Sequence, residues 1–181
     1  MATINYKLAN RDIQDSFNRG QMEDLRFPIT QAKQGANLKP VFDEENVALL
    51  FPENDESAVA YIVAQMPHGR EPDSSIEPHV HIRQSQAGQP IFVMEYKWYN
   101  FTEAVPASWS THIMNDSTAT WTTGTIANMV YNGLISGTGK GISSILLIKL
   151  YRQTGDGYSG DVLVDEFDIH YYANRFGKDV E

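Results

Sequence analysis

Large apolar side chains recur at every second position in one stretch of the chain: Phe92, Met94, Tyr96 and Trp98. Glu95 and Lys97 alternate between them and would lie on the opposite face. A period of two is typical of a β-strand with one buried face. We therefore predict a strand here, with the four large side chains directed into the core.

Similar strand signals occur in eight further runs, at residues 47–51, 58–66, 76–83, 109–113, 119–122, 125–131, 143–152 and 162–172. Clusters of Gly, Pro, Asn and Asp separate many of these runs, and such clusters are typical of turns. No helical pattern intervenes, which favours antiparallel strands over alternating strands and helices. The chain is therefore predicted to form an all-β antiparallel sandwich of the jelly-roll kind.

The first 21 residues differ from the rest, because they are polar with only isolated apolar side chains. They could form a short helix that ends near Gly20, an arm that docks on a neighbouring subunit, or a frayed terminus. The length of 181 residues fits a single domain. We therefore predict an N-terminal arm or short helix at residues 1–21 and one β-sandwich domain at residues 22–181.

Composition narrows the function classes. The 14 Lys and Arg against 23 Asp and Glu give a net charge of −9, which disfavours binding to the phosphates of nucleic acids. The longest strongly apolar run, at residues 145–148, is too short to span a membrane. The chain has no cysteine, which excludes disulfides, thiolate metal sites and cysteine nucleophiles and fits a reducing cytoplasm.

Two histidines, His79 and His81, lie two positions apart in a predicted strand, so their imidazoles share a face and could bind one metal ion or anion. A catalytic metal needs a third protein ligand, for which the candidates are Glu77, Glu95, His112 and His170. Cupins follow such a pair with a nearby Glu, but residues 82–86 contain none. We therefore predict structural or contact roles, no metal and no cofactor. Should a metal be found, its candidate ligands are His79, His81, Glu95 and His170.

A second polar cluster lies near the carboxyl end, where Glu166, Asp168 and His170 alternate with three apolar residues. These polar groups could bind a cation, but a solvated strand face explains the same alternation and is favoured. The glycine-rich segment at residues 137–141 lacks the spacing of a phosphate-binding loop. A Gly-x-Ser-x-Gly nucleophile motif is also absent. The chain is therefore predicted to have no catalytic residues and not to be an enzyme.

Several short sequence blocks follow one another along residues 22–172: Asp24-Leu25-Arg26-Phe27-Pro28, Gly35-Ala36-Asn37-Leu38-Lys39-Pro40, Phe42-Asp43, Leu49-Leu50-Phe51-Pro52-Glu53-Asn54-Asp55, Gln65-Met66-Pro67-His68, Pro78-His79-Val80-His81, Tyr96-Lys97-Trp98-Tyr99, Lys149-Leu150-Tyr151-Arg152 and Glu166-Phe167-Asp168-Ile169-His170-Tyr171. In this order they resemble a family of small proteins that tailed bacteriophages encode among their structural genes. Members of that family begin near the first block, so residues 1–21 resemble an added arm. They often carry Trp where this chain has Ile82.

The resemblance implies a virion accessory protein with a jelly-roll fold that forms a homotrimer. It implies contacts with the major capsid protein or other virion proteins, and assembly in the host bacterial cytoplasm. The first expectation is a capsid cement or decoration protein that stabilises the head. A tail or head-fibre component involved in host attachment is the alternative, and a cupin-like metal-binding enzyme is the second alternative.

Overall fold

A computed structural model describes residues 21–84, 86, 88–115 and 126–174. These residues form two antiparallel β-sheets and no α-helix. The strands are β1 (Gln21–Pro28), β2 (Lys33–Gln34), β3 (Val41–Asp43), β4 (Ala48–Phe51), β5 (Ala60–Gln65), β6 (Asp73–Gln84), β7 (Phe92–Tyr99), β8 (Ser110–Met114), β9 (Ile126–Tyr131), β10 (Ile135–Gly137), β11 (Ile145–Arg152) and β12 (Val162–Ala173). One 3₁₀ turn occupies Ile29–Gln31. No helix in the described part of the chain is long and apolar enough to cross a membrane.

Sheet A has seven strands and sheet B has five. In sheet A, β12 lies between β6 on one side and both β1 and β4 on the other, while β9 and β10 pair with the far edge of β6. Sheet B has the order β2-β5-β11-β7-β8. Every pairing is antiparallel.

Consecutive strands alternate between the two sheets from β4 to β7. β8 then pairs with β7 in sheet B, and the chain returns to sheet A at β9 and crosses again from β11 to β12. Four of these strands lie side by side in sheet A in the order β4-β12-β6-β9, and the other four lie in sheet B in the order β5-β11-β7-β8. Two interleaved four-stranded sheets of this kind make a jelly roll. The predicted antiparallel sandwich and its jelly-roll topology are therefore confirmed.

The core fills the space between the sheets. Phe92, Met94 and Trp98 on β7 are buried, and Tyr96 packs against the same core, as their spacing predicts. The rings of Phe51, on sheet A, and Phe92 meet edge to face with centroids 5.5 Å apart, an arrangement that aromatic pairs prefer. The alternation read from the sequence therefore identifies the buried face of sheet B correctly.

The remaining strand predictions agree with the structure except at short or weakly patterned elements. β1, β2, β3 and β10 were not expected from the sequence. The predicted strand at residues 119–122 lies outside the described residues, as do residues 1–20 of the predicted arm. Gln21, the last residue assigned to that arm, is the first residue of β1.

A β-bulge interrupts β12. Val164 pairs with Ile82 and Glu166 pairs with His81, so Asp165 is an extra residue opposite a single step of β6. Before the bulge Val162 and Val164 face the core, whereas after it Phe167, Ile169 and Tyr171 do so. The extra residue thus changes which alternate positions of β12 point outward.

Candidate functional site

The outward face of sheet A carries an unusual concentration of histidine and carboxylate side chains. We call it the histidine–carboxylate cluster and define it by residues from three adjacent strands: Asp24 on β1, Glu77, His79 and His81 on β6, and Glu166, Asp168 and His170 on β12. The strand register brings them together in rows, since His170 lies between Asp24 and Glu77, Asp168 lies beside His79, and Glu166 lies beside His81.

The period of two places these residues outside the core. On β6, Ile76, Val80 and Ile82 are buried between the sheets, so the intervening Glu77, His79 and His81 point the other way. On β12, the bulge at Asp165 gives Asp168 and His170 the same outward direction. The two polar patterns singled out in the sequence therefore meet on neighbouring strands.

His79, His81 and Asp168 form the centre of the cluster. The Oδ2 atom of Asp168 lies 3.6 Å from Nε2 of His79 and 3.2 Å from Nε2 of His81. Although they face away from the core, the side chains of His79 and Asp168 are only 2% and 4% exposed, whereas His81 is 38% exposed. Each of the three offers a ligand atom within 4.8 Å of the others, so these are the residues that could hold a metal ion.

His170 supports this centre from one side. Its Nε2 lies 2.9 Å from Oδ1 of Asp24, and its Nδ1 lies 3.1 Å from Oε2 of Glu77. Its ring stacks at a tilt on that of His79, with centroids 4.2 Å apart. Contacts with carboxylates of two neighbouring strands thus fix the ring that covers His79.

Glu166 has a different partner from the other members of the cluster. The guanidinium of Arg26, on β1, donates hydrogen bonds to both carboxylate oxygens of Glu166. The bond from Nε to Oε1 is 2.9 Å long. This pairing raises the pKa of Arg26. Arg26 therefore directs its hydrogen bonds to Glu166, whereas the nearby Asp168 acts on it through charge alone.

Two candidates from the sequence do not join the cluster. Glu95 lies on β7 of sheet B, where its Oε2 accepts a hydrogen bond of 2.8 Å from Lys149. His112 lies on β8 of the same sheet, and burial lowers its pKa. His79, His81 and His170 do come together, so within the set His79, His81, Glu95 and His170 only Glu95 is separated from the others.

Asp168 is the central residue that the sequence left unassigned. Its alternation with Glu166 and His170 marked it as part of a polar strand face, but nothing in that pattern identifies β6 as the neighbouring strand. Three blocks of the phage-protein resemblance, at residues 24–28, 78–81 and 166–171, lie on the three strands that build the cluster.

Comparison with known proteins gives only distant structural similarities. No protein-family model matches the chain, and no curated protein matches it. The structure of infectious bursal disease virus, Gx strain, is 10% identical over 87% of this chain and 35% of that one, with a TM-score of 0.39. The enzymatically active domain of tailspike protein 4 of bacteriophage CBA120 is 8% identical over 84% of this chain and 19% of that one, with a TM-score of 0.36. This chain therefore spans about a third and a fifth of those two chains, and similarity at this level assigns neither a family nor a function.

Proposed function

We propose that this chain is a structural protein of a bacteriophage virion, and specifically a cement or decoration protein on the outside of the head. The observation that carries the proposal is that the range of the phage-like sequence blocks matches the range of the folded strands. The ordered blocks that resemble phage accessory proteins span residues 22–172, and the strands of the sandwich span residues 21–173. The whole folded unit, and not a fragment of it, therefore carries the resemblance.

The outward face of sheet B supports a role in assembly. Val63 is 68% exposed there, and Tyr61 and Ile113 are exposed on the same sheet. The ring of Trp109 lies over the ammonium groups of Lys97 and Lys149, at 5.1 and 4.2 Å. Apolar and aromatic side chains on an exposed face are typical of surfaces that bind other proteins.

The cupin-like alternative has less support from the fold. Ligand sites in β-barrel proteins commonly lie in a cavity inside the barrel or at its mouth. Here the space between the sheets is filled by buried apolar side chains, among them Phe51, Phe92 and Phe167. The histidine pair faces away from that space, on the outward side of sheet A.

Quantitative mass spectrometry of virions from the phage that encodes this chain tests the proposal. A cement or decoration protein should be present in a copy number of the same order as the major capsid protein. A copy number far below that would favour the tail or head-fibre alternative, and absence from purified virions would reject a virion role.

The predicted N-terminal arm gives a second test. Recombinant full-length chain and a variant without residues 1–20 should be added to capsids that lack the protein, and their occupancies compared. Twenty extended residues span up to about 70 Å, so an arm of this length could reach a neighbouring capsomer. Lower occupancy of the shortened chain is expected. Equal occupancy would reject the role of the arm but would not contradict the proposed location on the outside of the head.

A further inference from the structure

Three polar atoms at the centre of the histidine–carboxylate cluster lack hydrogen-bond partners. They are Oδ1 of Asp168, Nδ1 of His79 and Nε2 of His81, which are buried and find no partner among the described residues. The last of these lies only 3.2 Å from Oδ2 of Asp168, so the separation is short enough but the direction of the ring nitrogen is wrong for a hydrogen bond. Buried polar groups without partners are uncommon and need an explanation, of which a bound water or ion is one.

The spacing of the three side chains fits a metal ion. Zinc binds imidazole nitrogen and carboxylate oxygen at about 2.0–2.2 Å, and in a tetrahedral site the ligand atoms are then about 3.3 Å apart. The two distances from Oδ2 of Asp168, 3.2 and 3.6 Å, lie on either side of this value. We propose that His79, His81 and Asp168 bind a divalent transition-metal ion of the zinc class.

The surroundings favour a cation of this class. Imidazole ligands select zinc and its neighbours over calcium and magnesium, which prefer oxygen. Glu77 and Asp24 add negative charge beside the centre, on either side of His170. Arg26 is paired with Glu166, and Arg83, also on the outward face of β6, is paired with Asp165. Within the described residues, both neighbouring cations are thus engaged by other carboxylates.

The three ligands come from two strands and leave one position open. Because β6 supplies the histidines and β12 supplies Asp168, a bound ion would link these strands across the centre of sheet A. His81 is the partly exposed member and provides the route from solvent. A fourth ligand would come from that side. The site does not depend on where in a virion the protein sits, so it stands apart from the proposed function.

The local sequence predicts no metal, because residues 82–86 offer no carboxylate. The third ligand comes from β12, which pairs directly with β6, so the same residue type arrives through the fold and not through the local sequence. A His-x-His pair with a distant Asp has no fixed spacing that a single sequence could reveal.

Zinc titration of the tag-free, chelator-treated full chain tests the proposal by isothermal calorimetry. One zinc ion per chain is expected. His81→Gln and Asp168→Asn should each weaken zinc binding at least tenfold, because mutating even the outer-shell partners of metal ligands typically costs about 10–100-fold in affinity. The matched control is His68→Gln, since His68 is an exposed histidine in the β5–β6 connection. It should bind zinc as the unmodified chain does.

A second measurement separates a built site from weak surface binding. Zinc should raise the midpoint of thermal unfolding of the unmodified chain and of His68→Gln, because an ion that binds only the folded state stabilises it. The same addition should leave His81→Gln unchanged, and circular dichroism should show that this variant is folded. Absence of zinc binding by the unmodified chain, or binding that survives both ligand substitutions, would overturn the proposal.

Discussion

Arg152 is a charged residue that the fold buries completely. Its guanidinium donates two hydrogen bonds to the carboxylate of Asp156, at 2.6 and 2.9 Å, and further bonds to the carbonyl oxygens of Tyr158 and Gly160. Asp156 in turn accepts hydrogen bonds from the backbone N–H groups of Ile91 and Tyr158. A buried ion pair is tolerable only when its remaining polar atoms are satisfied in this way. The pair thus fixes the connection between β11 and β12.

Asp156→Ala should destabilise the protein by about 3–5 kcal/mol, because it leaves the guanidinium of Arg152 buried without its counter-charge. Urea unfolding followed by intrinsic fluorescence measures this loss. Arg26→Ala is the matched control, since it removes an arginine–carboxylate pair whose arginine is largely exposed, and exposed pairs contribute little. A comparable loss in both variants would contradict the argument.

At the scale of single residues, the sequence predicted the face of the sheet on which a side chain lies better than the residues that it contacts. The spacing of His79 and His81 predicts a shared face, and the structure places both on the outward side of sheet A. Their contact with Asp168 depends on which strands pair and in what register, which are tertiary properties. The same reason explains Glu95, a candidate third ligand on the next predicted strand, which lies on the other sheet.

Among the elements, β1 shows how a strand can form without a strong pattern. It pairs with β12 along its whole length, from Gln21 opposite Ala173 to Pro28 opposite Glu166. Leu25 and Phe27 pack against the core, but most of the strand is exposed. Its sequence therefore lacks the apolar alternation that identifies β7. Backbone pairing with β12 holds β1 in the extended conformation instead.

Tyr171 links β1 to the core through a hydrogen bond of 2.8 Å from its hydroxyl to Oε2 of Glu23. Burial, together with this bond, raises the pKa of Tyr171 to about 12, from an ordinary value of 10.0. Below about pH 10 the hydroxyl is protonated in both the folded and the unfolded chain. Between about pH 10 and 12 only the unfolded chain releases the proton, so the stability from this group falls as pH rises.

The expected result for Tyr171→Phe follows from that sign. At about pH 9 the variant should be less stable by about 1 kcal/mol, the usual contribution of one hydrogen bond. The difference from the unmodified chain should shrink as the pH rises toward 12. Urea unfolding across this range measures it, with the exposed neighbour Tyr172→Phe as control. A difference that stays constant with pH would refute the proposed cause.

At the scale of the whole molecule, the described strands of both sheets end in edge strands. Within the described residues, β8 ends one side of sheet B and β3 ends one side of sheet A. Exposed edges invite pairing with other chains unless they are covered. Subunit contacts would provide such cover, in keeping with the homotrimer that the phage-protein resemblance implies.

Multi-angle light scattering should therefore give the mass of three chains at micromolar concentration. The variant lacking residues 1–20 should be measured beside the full chain, because a trimer that survives the deletion assigns the contacts to the sandwich. A monomer of the full chain would refute the homotrimer.

The fold class was accessible from the sequence because it rests on a repeated local property. Alternation in β7 and polar turns between strands are enough to predict an antiparallel sandwich. The short strands β2, β3 and β10 have too few residues to show alternation and form because longer neighbours pair with them.

The bulge at Asp165 determines which side chains of the following part of β12 face the core. The Nε atom of Arg83 donates hydrogen bonds of 3.0 Å to both carboxylate oxygens of Asp165, the extra residue. The same guanidinium also donates a hydrogen bond to the carbonyl oxygen of Asn46. Loss of one residue at this point would shift every later side chain by one step, turning Phe167 and Ile169 to solvent and Asp168 and His170 into the core. The chemistry of sheet A's outward face therefore depends on the number of residues in β12 as much as on their identity. An insertion or deletion that a surface loop would tolerate would here move core side chains to the surface and polar side chains into the core.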